Sequence, residues 1–176
     1  MKQLGLSLLA CFLVMAGIAQ EIAIIPEPVM VQKKSGAFTL SGTTGIEVST
    51  TDADVNRVVQ FFRDEVRLPS GFTLPEIAGG NGGTNVIRFE LKKTADKQLG
   101  DEGYTLDVSP ERVVISANKA AGLFYGVQTL YQLLPKEIAG KTVVEGVHWT
   151  IPAVSVTDYP RFAWRGLMFD VVRHFF

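Results

Sequence analysis

Short runs of apolar and β-branched residues, separated by turn residues, recur along most of the chain. Tyr104, Leu106 and Val108 alternate with polar neighbours, and a β-branched run follows at residues 112–116. Alternation with a period of two puts one set of side chains on each face of a strand. Since Ser109, Pro110 and Glu111 are turn formers, the two runs predict a hairpin. Further strands are predicted at residues 22–25, 29–32, 38–40, 46–48, 86–91, 143–144 and 154–156.

The apolar spacing changes to that of a helix between residues 55 and 66. Apolar residues there recur at i, i+3, i+4, i+7 and i+11, which places them on one helix face. Thr51, with Asp54 three residues later, is a capping signal for the start of this helix. The stripe consists of Val55, Val58, Val59, Phe62 and Val66.

A second helix is predicted at about residues 119–134, ended by Pro135. Gly122 and Gly126 lie four residues apart, so they share a helix face on which another backbone can approach closely. That spacing is also typical of paired membrane helices. Polar neighbours such as Lys119 and Gln128 favour packing on a sheet instead. The apolar stripe of this helix consists of Leu123, Val127, Leu130, Tyr131 and Leu134.

Together these elements predict one α+β domain over residues 20–157. We expect a mostly antiparallel sheet with the two helices on one face, because the strands outnumber the helices and do not alternate regularly with them. The other face of such a sheet can remain in contact with water.

The first 19 residues have the pattern of a secretory signal peptide. Lys2 precedes an apolar core, and Gly17 and Ala19 are small residues at the positions expected for cleavage before Gln20. A membrane anchor is the alternative, but the apolar stretch is short for a span. Cys11 lies inside the apolar core, which argues against lipoprotein processing. The sequence therefore predicts a secreted or periplasmic protein with no stable membrane span after processing.

Composition removes several classes of function. The formal net charge is −1, so nucleic-acid binding has no support. Cys11 is the one cysteine and would leave with the signal peptide, which excludes a disulfide within the chain or a multi-cysteine metal site. His148 and His174 have no metal-ligand spacing, and the glycines of residues 79–83 lack the lysine of a phosphate-binding loop. The residues therefore indicate neither a cysteine or histidine metal site nor a phosphate-binding loop.

Asp101 and Glu102 form an adjacent acidic pair in a glycine-flanked loop. Paired carboxylates can divide acid and base catalysis between them. Adjacent loop residues usually point in different directions, however, so a solvated turn is the favoured interpretation.

The segment from Asp158 to Phe176 differs in character from the rest of the chain. An apolar run at residues 167–172 predicts a buried strand, with Asp170 inside it and cationic side chains at its ends. Buried charges are costly unless they are paired. Arg165, Asp170, Arg173 and His174 therefore suggest a polar network, which fits either a functional site or an ion-paired domain junction.

This segment, DYPRFAWRGLMFDVVRHFF, closely resembles the start of the catalytic barrel of glycoside hydrolase family 20, the β-N-acetylhexosaminidases. Residues 103–106 (GYTL), residues 122–130 (GLFYGVQTL) and the opening residues 25–28 (IPEP) resemble the α+β domain that precedes that barrel. Val172 stands where the family commonly has serine. The resemblance covers essentially the whole chain after the signal peptide.

The resemblance implies an exo-acting enzyme that releases terminal β-linked N-acetylglucosamine or N-acetylgalactosamine from a glycan or glycoconjugate. It implies that Arg165 binds sugar hydroxyls, while Asp170, Arg173 and His174 support the active-site end of the barrel. Catalysis in this family is assisted by the substrate's own acetamido group, and the resemblance implies no metal and no cofactor. The catalytic aspartate–glutamate pair would lie beyond Phe176, because a complete barrel takes about 250 residues. The resemblance therefore predicts residues 158–176 to be the start of a truncated barrel, and the chain alone to be inactive.

Two other interpretations stay open. The chain could be a stand-alone carbohydrate-binding or interaction module. It could also come from a related glycosidase with a similar leading domain, such as an α-glucuronidase, although that class is not expected to match the Trp-Arg-Gly and Arg-His-Phe motifs.

Overall fold

The computed structural model describes residues 22–78 and 83–168. The predicted signal peptide lies outside these residues, as do Asp170, Arg173 and His174 and most of the glycine loop. In chain order the elements are β1 (Met30–Thr39), β2 (Gly45–Val48), α1 (Ala53–Ser70), β3 (Val86–Leu91), β4 (Tyr104–Val108), β5 (Arg112–Ala117), α2 (Ala120–Leu133), a short 3₁₀ helix (Lys136–Ala139) and β6 (Thr150–Asp158).

The six strands form one sheet in the order β1-β6-β4-β5-β3-β2. β1 with β6, β6 with β4, and β4 with β5 pair antiparallel, and the predicted hairpin between β4 and β5 is confirmed. β5 with β3 and β3 with β2 pair parallel. The sheet is therefore mixed: the antiparallel prediction holds on one side and fails at β3 and β2. The reason is that β2, α1 and β3 follow one another as strand, helix and strand, a connection that suits parallel pairing.

Several predicted strands have different bounds. The runs at residues 29–32 and 38–40 belong to the single long strand β1, whose pairing is irregular between Lys33 and Ala37. Residues 22–25 and 143–144 are not strands. Leu167 and Met168, the described part of the predicted barrel strand, form no strand either, so the truncated barrel stays a prediction.

Helix α1 has the predicted buried stripe, and Val55, Phe62 and Val66 are completely buried. Its N-cap is Asp52 rather than the predicted Thr51, because the Asp52 carboxylate accepts hydrogen bonds from the backbone N–H groups of Asp54 and Val55. Such a cap satisfies backbone donors that have no partner within the helix.

Helix α2 packs closely on the sheet, as its two glycines predict. A Cβ at Gly122 would clash with the backbone oxygen of Gly103, and a Cβ at Gly126 would lie 2.5 Å from Cγ2 of Ile115. Only glycine fits at these two positions without a shift of the neighbouring atoms.

Both helices cover the same face of the sheet, which confirms this part of the predicted arrangement. Phe62 of α1 lies against Phe89 of β3, and Phe89 pairs in register with Ile115, which contacts α2. The opposite face is polar. There Arg88 donates to the buried Glu47 across 2.6 Å, and Lys34 pairs with Asp107.

Candidate functional site

A cleft of about 610 Å³ lies where the N-terminal segment, α2 and the end of β6 meet. The sheet sets its position, because Tyr104 and Asp158 pair at the ends of β4 and β6. The residues before β4 and those after β6 consequently meet at one end of the sheet. The lining residues are Ile24, Pro26, Glu27, Val29, Glu102, Tyr104, Tyr125, Gln128, Thr129, Gln132, Asp158, Tyr159, Pro160, Arg161 and Arg165.

Tyr104 forms the inner wall of the cleft. Its ring is buried, and its hydroxyl forms a hydrogen bond with Oγ1 of Thr129 on α2. Burial raises the pKa of Tyr104 to about 12, because the phenolate would lose its hydration there. Tyr104 therefore stays a neutral structural group at physiological pH.

The N-terminal segment is held across the cleft by side chains from two elements. Gln132 of α2 accepts from the backbone N–H of Ile25 (2.8 Å) and donates to its carbonyl oxygen (3.0 Å). The Asp158 carboxylate accepts from the backbone N–H of Val29 (3.2 Å). A side-chain amide that satisfies both backbone groups of one residue replaces the partners that a strand would supply.

The chain that leaves β6 is also held against the domain. The Tyr159 hydroxyl accepts a hydrogen bond from the Gln98 amide (3.0 Å). A Cβ added at Gly103 would lie only 2.8 Å from the Cβ of Tyr159. Gly103 thus permits the close approach of this segment to the turn before β4.

Arg165 lies farther along the same segment, 44% exposed at the edge of the cleft. Its Nη1 donates to the carbonyl oxygen of Phe162 (2.8 Å), and its Nη2 donates to Oε2 of Glu102 (2.5 Å). The hydrogen bond that Arg165 donates to the Glu102 carboxylate raises the pKa of Arg165, and the Tyr125 hydroxyl contributes in the same direction. Of the four residues in the predicted polar network, Arg165 lies within the described residues, and it forms an ion pair with Glu102 of the α+β domain.

Asp101 and Glu102 pair with different cations. Asp101 accepts from Nζ of Lys119 (2.7 Å), whereas Glu102 pairs with Arg165, 63 residues along the chain. The prediction that these neighbours point apart is confirmed. The interpretation as a solvated turn missed the ion pair between Glu102 and Arg165. The signal that could have indicated it is Gly103, which lets the later segment come close to this turn.

Residues 22–78 and 83–168 contain no group of three or more histidine, cysteine, aspartate or glutamate side chains that could hold a metal ion. Within the same residues no helix is both long and apolar enough to cross a membrane.

The sequence profile of glycosyl hydrolase family 20, domain 2, matches residues 21–159. This match covers the whole sheet and both helices. The chain belongs to glycoside hydrolase family 20. Its sequence is 36% identical to a β-N-acetylhexosaminidase of Cellulomonas fimi over 157 residues, which is 89% of this chain and 30% of that protein. It is 33% identical to a β-hexosaminidase of Porphyromonas gingivalis over 154 residues, 88% of this chain and 19% of that protein.

Solved family 20 structures have the same fold. The N-acetyl-β-hexosaminidase of Streptomyces plicatus, solved in complex with Thio-NAglucal, is 41% identical and superposes with a TM-score of 0.74. The match covers 87% of this chain and 29% of that one. The chain thus spans less than a third of the length of these relatives.

Proposed function

We propose that this chain is the N-terminal part of an exo-acting β-N-acetylhexosaminidase that hydrolyses terminal β-linked N-acetylglucosamine or N-acetylgalactosamine. The observation that carries the proposal is the family 20 profile over residues 21–159, followed at once by the Trp164-Arg165-Gly166 motif. The names of the relatives, all hexosaminidases among those compared above, support the same substrate class.

The proposal includes a domain layout and a location. Residues 1–19 form a signal peptide, residues 20–157 the α+β domain, and residues 158–176 the start of a (β/α)8 barrel that continues beyond Phe176. Signal-peptide cleavage would release a secreted or periplasmic enzyme. The pattern of Lys2, the apolar core, Gly17 and Ala19 supports this location.

The proposed mechanism is substrate-assisted and retains the anomeric configuration. The acetamido oxygen of the substrate bonds to C1 as the bond from C1 to the leaving oxygen breaks. A glutamate beyond Phe176 gives its proton to that leaving oxygen, and a neighbouring aspartate orients the acetamido group. Water then attacks C1 and gives a proton back to that glutamate, while the bond from C1 to the acetamido oxygen breaks and the acetamido group is restored. These steps use neither a metal nor a cofactor.

Within this mechanism the proposal gives Arg165 the role of binding hydroxyls of the terminal sugar. A guanidinium has five N–H donors, so its bonds to Glu102 and Phe162 leave donors for a ligand. Asp170, Arg173 and His174 are proposed to support the active-site end of the barrel. The proposal does not give the catalytic roles to Asp101 and Glu102, because both belong to the α+β domain, where they pair with Lys119 and Arg165.

The experiment that tests the proposal compares two proteins from the same gene. The reading frame is sequenced past codon 176, and the longer protein and the 176-residue chain are assayed on a chromogenic β-N-acetylglucosaminide. We expect turnover by the longer protein only. A stop at codon 176, together with glycan binding by the isolated domain, would support the carbohydrate-binding module instead.

A further inference from the structure

The ion pair between Glu102 and Arg165 joins the α+β domain to the segment that is predicted to begin the barrel. Glu102 lies in the turn before β4, inside the α+β domain, and Arg165 lies seven residues past the end of β6. Arg165 is held twice, by the Glu102 carboxylate and by the Phe162 carbonyl. The second bond fixes the guanidinium on its own segment, while the first fixes that segment on the domain.

The turn that carries Glu102 is itself fixed by backbone contacts. The N–H of Gly103 donates to the carbonyl oxygen of Leu99 (2.8 Å), and the first turn of α2 packs against Gly103 at Gly122. Tyr104 then enters the sheet opposite Asp158. Glu102 therefore extends from a turn that is held by a backbone hydrogen bond and by close packing, so a partner bound to its carboxylate takes up a defined position.

The neighbouring acid gives an internal comparison. Asp101 pairs with Lys119, which lies at the start of α2 within the same domain, and both side chains are more than half exposed. Glu102 instead reaches the segment that follows the domain, and its pair is less exposed, at 39% and 44%. The two adjacent carboxylates thus have partners in different parts of the chain.

We propose that Glu102 is a positioning residue that acts through Arg165. Their ion pair holds the start of the barrel in place on the α+β domain. The proposal rests on the proposed function, because it concerns the placement of the segment that carries Arg165, Asp170, Arg173 and His174. A charge-assisted hydrogen bond to a planar guanidinium fixes direction as well as distance, which suits this role. Misplacement of a binding group by about 1 Å can cost up to about a hundredfold in rate.

The test is a double-mutant cycle in the longer protein that the reading frame encodes. Glu102→Gln, Arg165→Ala and the double variant are compared with the unmodified enzyme, with Asp101→Asn as the matched control. Values of kcat and KM are measured on a chromogenic β-N-acetylglucosaminide at a temperature where all variants are folded, and Tm is measured beside them. Glu102→Asp, which keeps the charge on a shorter side chain, is the conservative variant.

We expect Glu102→Gln to lower kcat/KM by about tenfold, with Glu102→Asp recovering part of the loss and Asp101→Asn changing it by less than about twofold. In the Arg165→Ala background, Glu102→Gln should add less than about twofold, because the partner through which it acts is gone. A loss for Arg165→Ala much larger than for Glu102→Gln would show that Arg165 also contacts the sugar.

Two results would overturn the inference. If Glu102→Gln behaves like the unmodified enzyme, or if its effect is undiminished in the Arg165→Ala background, Glu102 does not act through Arg165, while the proposed function stands on the unmodified enzyme's activity. If the unmodified longer protein has no hexosaminidase activity, the proposed function fails first and this inference fails with it.

Discussion

The two helices that cover the sheet are stabilised in different ways. α1 has its own boundary signals: Asp52 caps its first turn, and Gly71 ends it in the left-handed conformation. α2 has no side-chain cap at Lys119, and its C-cap residue Leu134 is extended. It is positioned instead by the close contacts of Gly122 and Gly126 with the sheet.

The two helices also differ in what they contribute to the cleft. Tyr125, Gln128, Thr129 and Gln132 of α2 line it, and α1 contributes no lining residue. Long-range contacts fix a helix relative to its partners more directly than local signals do, since a cap specifies only where a helix begins. The helix with the weaker local signals is thus the one whose position matters for the site.

The largest effect is expected from the buried stripe of α1. Phe62 is completely buried between Phe89 and Tyr131, with ring centroids 5.9 Å from each. Phe62→Ala should lower the free energy of unfolding by about 4 kcal/mol, because it removes a large apolar group and leaves a cavity. Urea unfolding measures the change. The neighbouring Phe61, 37% exposed, is the control, and an equal loss for Phe61→Ala would contradict this reading of the stripe.

A substitution at Gly122 tests whether α2 is positioned by close packing. Helix propensity alone predicts that Gly→Ala stabilises a helix by up to about 1 kcal/mol. The clash of a Cβ with the Gly103 backbone reverses that sign, and we expect a loss of about 3 kcal/mol. Ala121→Gly at the exposed neighbouring position should cost about 1 kcal/mol. A stabilised Gly122→Ala variant in urea unfolding would show that the sheet does not constrain α2.

The contact of α2 with β4 should depend on pH at the alkaline end. The pKa of Tyr104 is raised from 10.0 to about 12 in the folded protein, mainly by burial. A group with a raised folded pKa contributes its full stability below the unfolded pKa and loses it as pH rises through the folded one. The free energy of unfolding should therefore fall between about pH 10 and 12, by on the order of 2 kcal/mol for this group.

Tyr131 contributes in the same direction, because burial also raises its pKa. Chemical denaturation over pH 9 to 12 for the unmodified protein and for Tyr104→Phe separates the two residues. Tyr104→Phe should have the shallower slope. An identical slope would mean that Tyr104 does not titrate with unfolding.

The smallest effect is expected at the α1 cap. Asp52→Ala removes the acceptor for the N–H groups of Asp54 and Val55 and should cost about 1 kcal/mol. Asp64→Ala, which removes an exposed pair with Arg67, is the control and should cost less than about 0.5 kcal/mol. Thermal unfolding resolves the two values, and equal shifts in Tm would argue against the cap.

The period-two and helical patterns predicted most of the elements, because each depends on which residues face the core. The stripe of α1, the β4–β5 hairpin and the close packing at Gly122 and Gly126 are confirmed. The predicted N-cap of α1 was wrong by one residue, because Thr51 and Asp52 both have side chains that can cap a helix. Parallel pairing of β2 and β3 was missed, although the strand, helix and strand between Ile46 and Leu91 already indicated it.

The candidate site was harder to predict, because its contacts join distant parts of the chain. Arg165 was singled out from its motif, but its partner Glu102 was assigned to a solvated turn. Gln132, which holds Ile25 across 107 residues, carried no local signal. Pairing at this distance follows from the strand order, which places the ends of β4 and β6 together, and no pattern within either segment specifies that order.

The most direct test of the central claim is the ratio of two kcat/KM values for the longer protein, one on a chromogenic β-N-acetylglucosaminide and one on the matching β-glucoside. The glucoside has a hydroxyl in place of the acetamido group, so it lacks the nucleophile that the proposed mechanism requires. We predict hydrolysis of the first substrate and no measurable hydrolysis of the second. Comparable rates on both, or cleavage of neither, would contradict the assignment of this chain to a substrate-assisted β-N-acetylhexosaminidase.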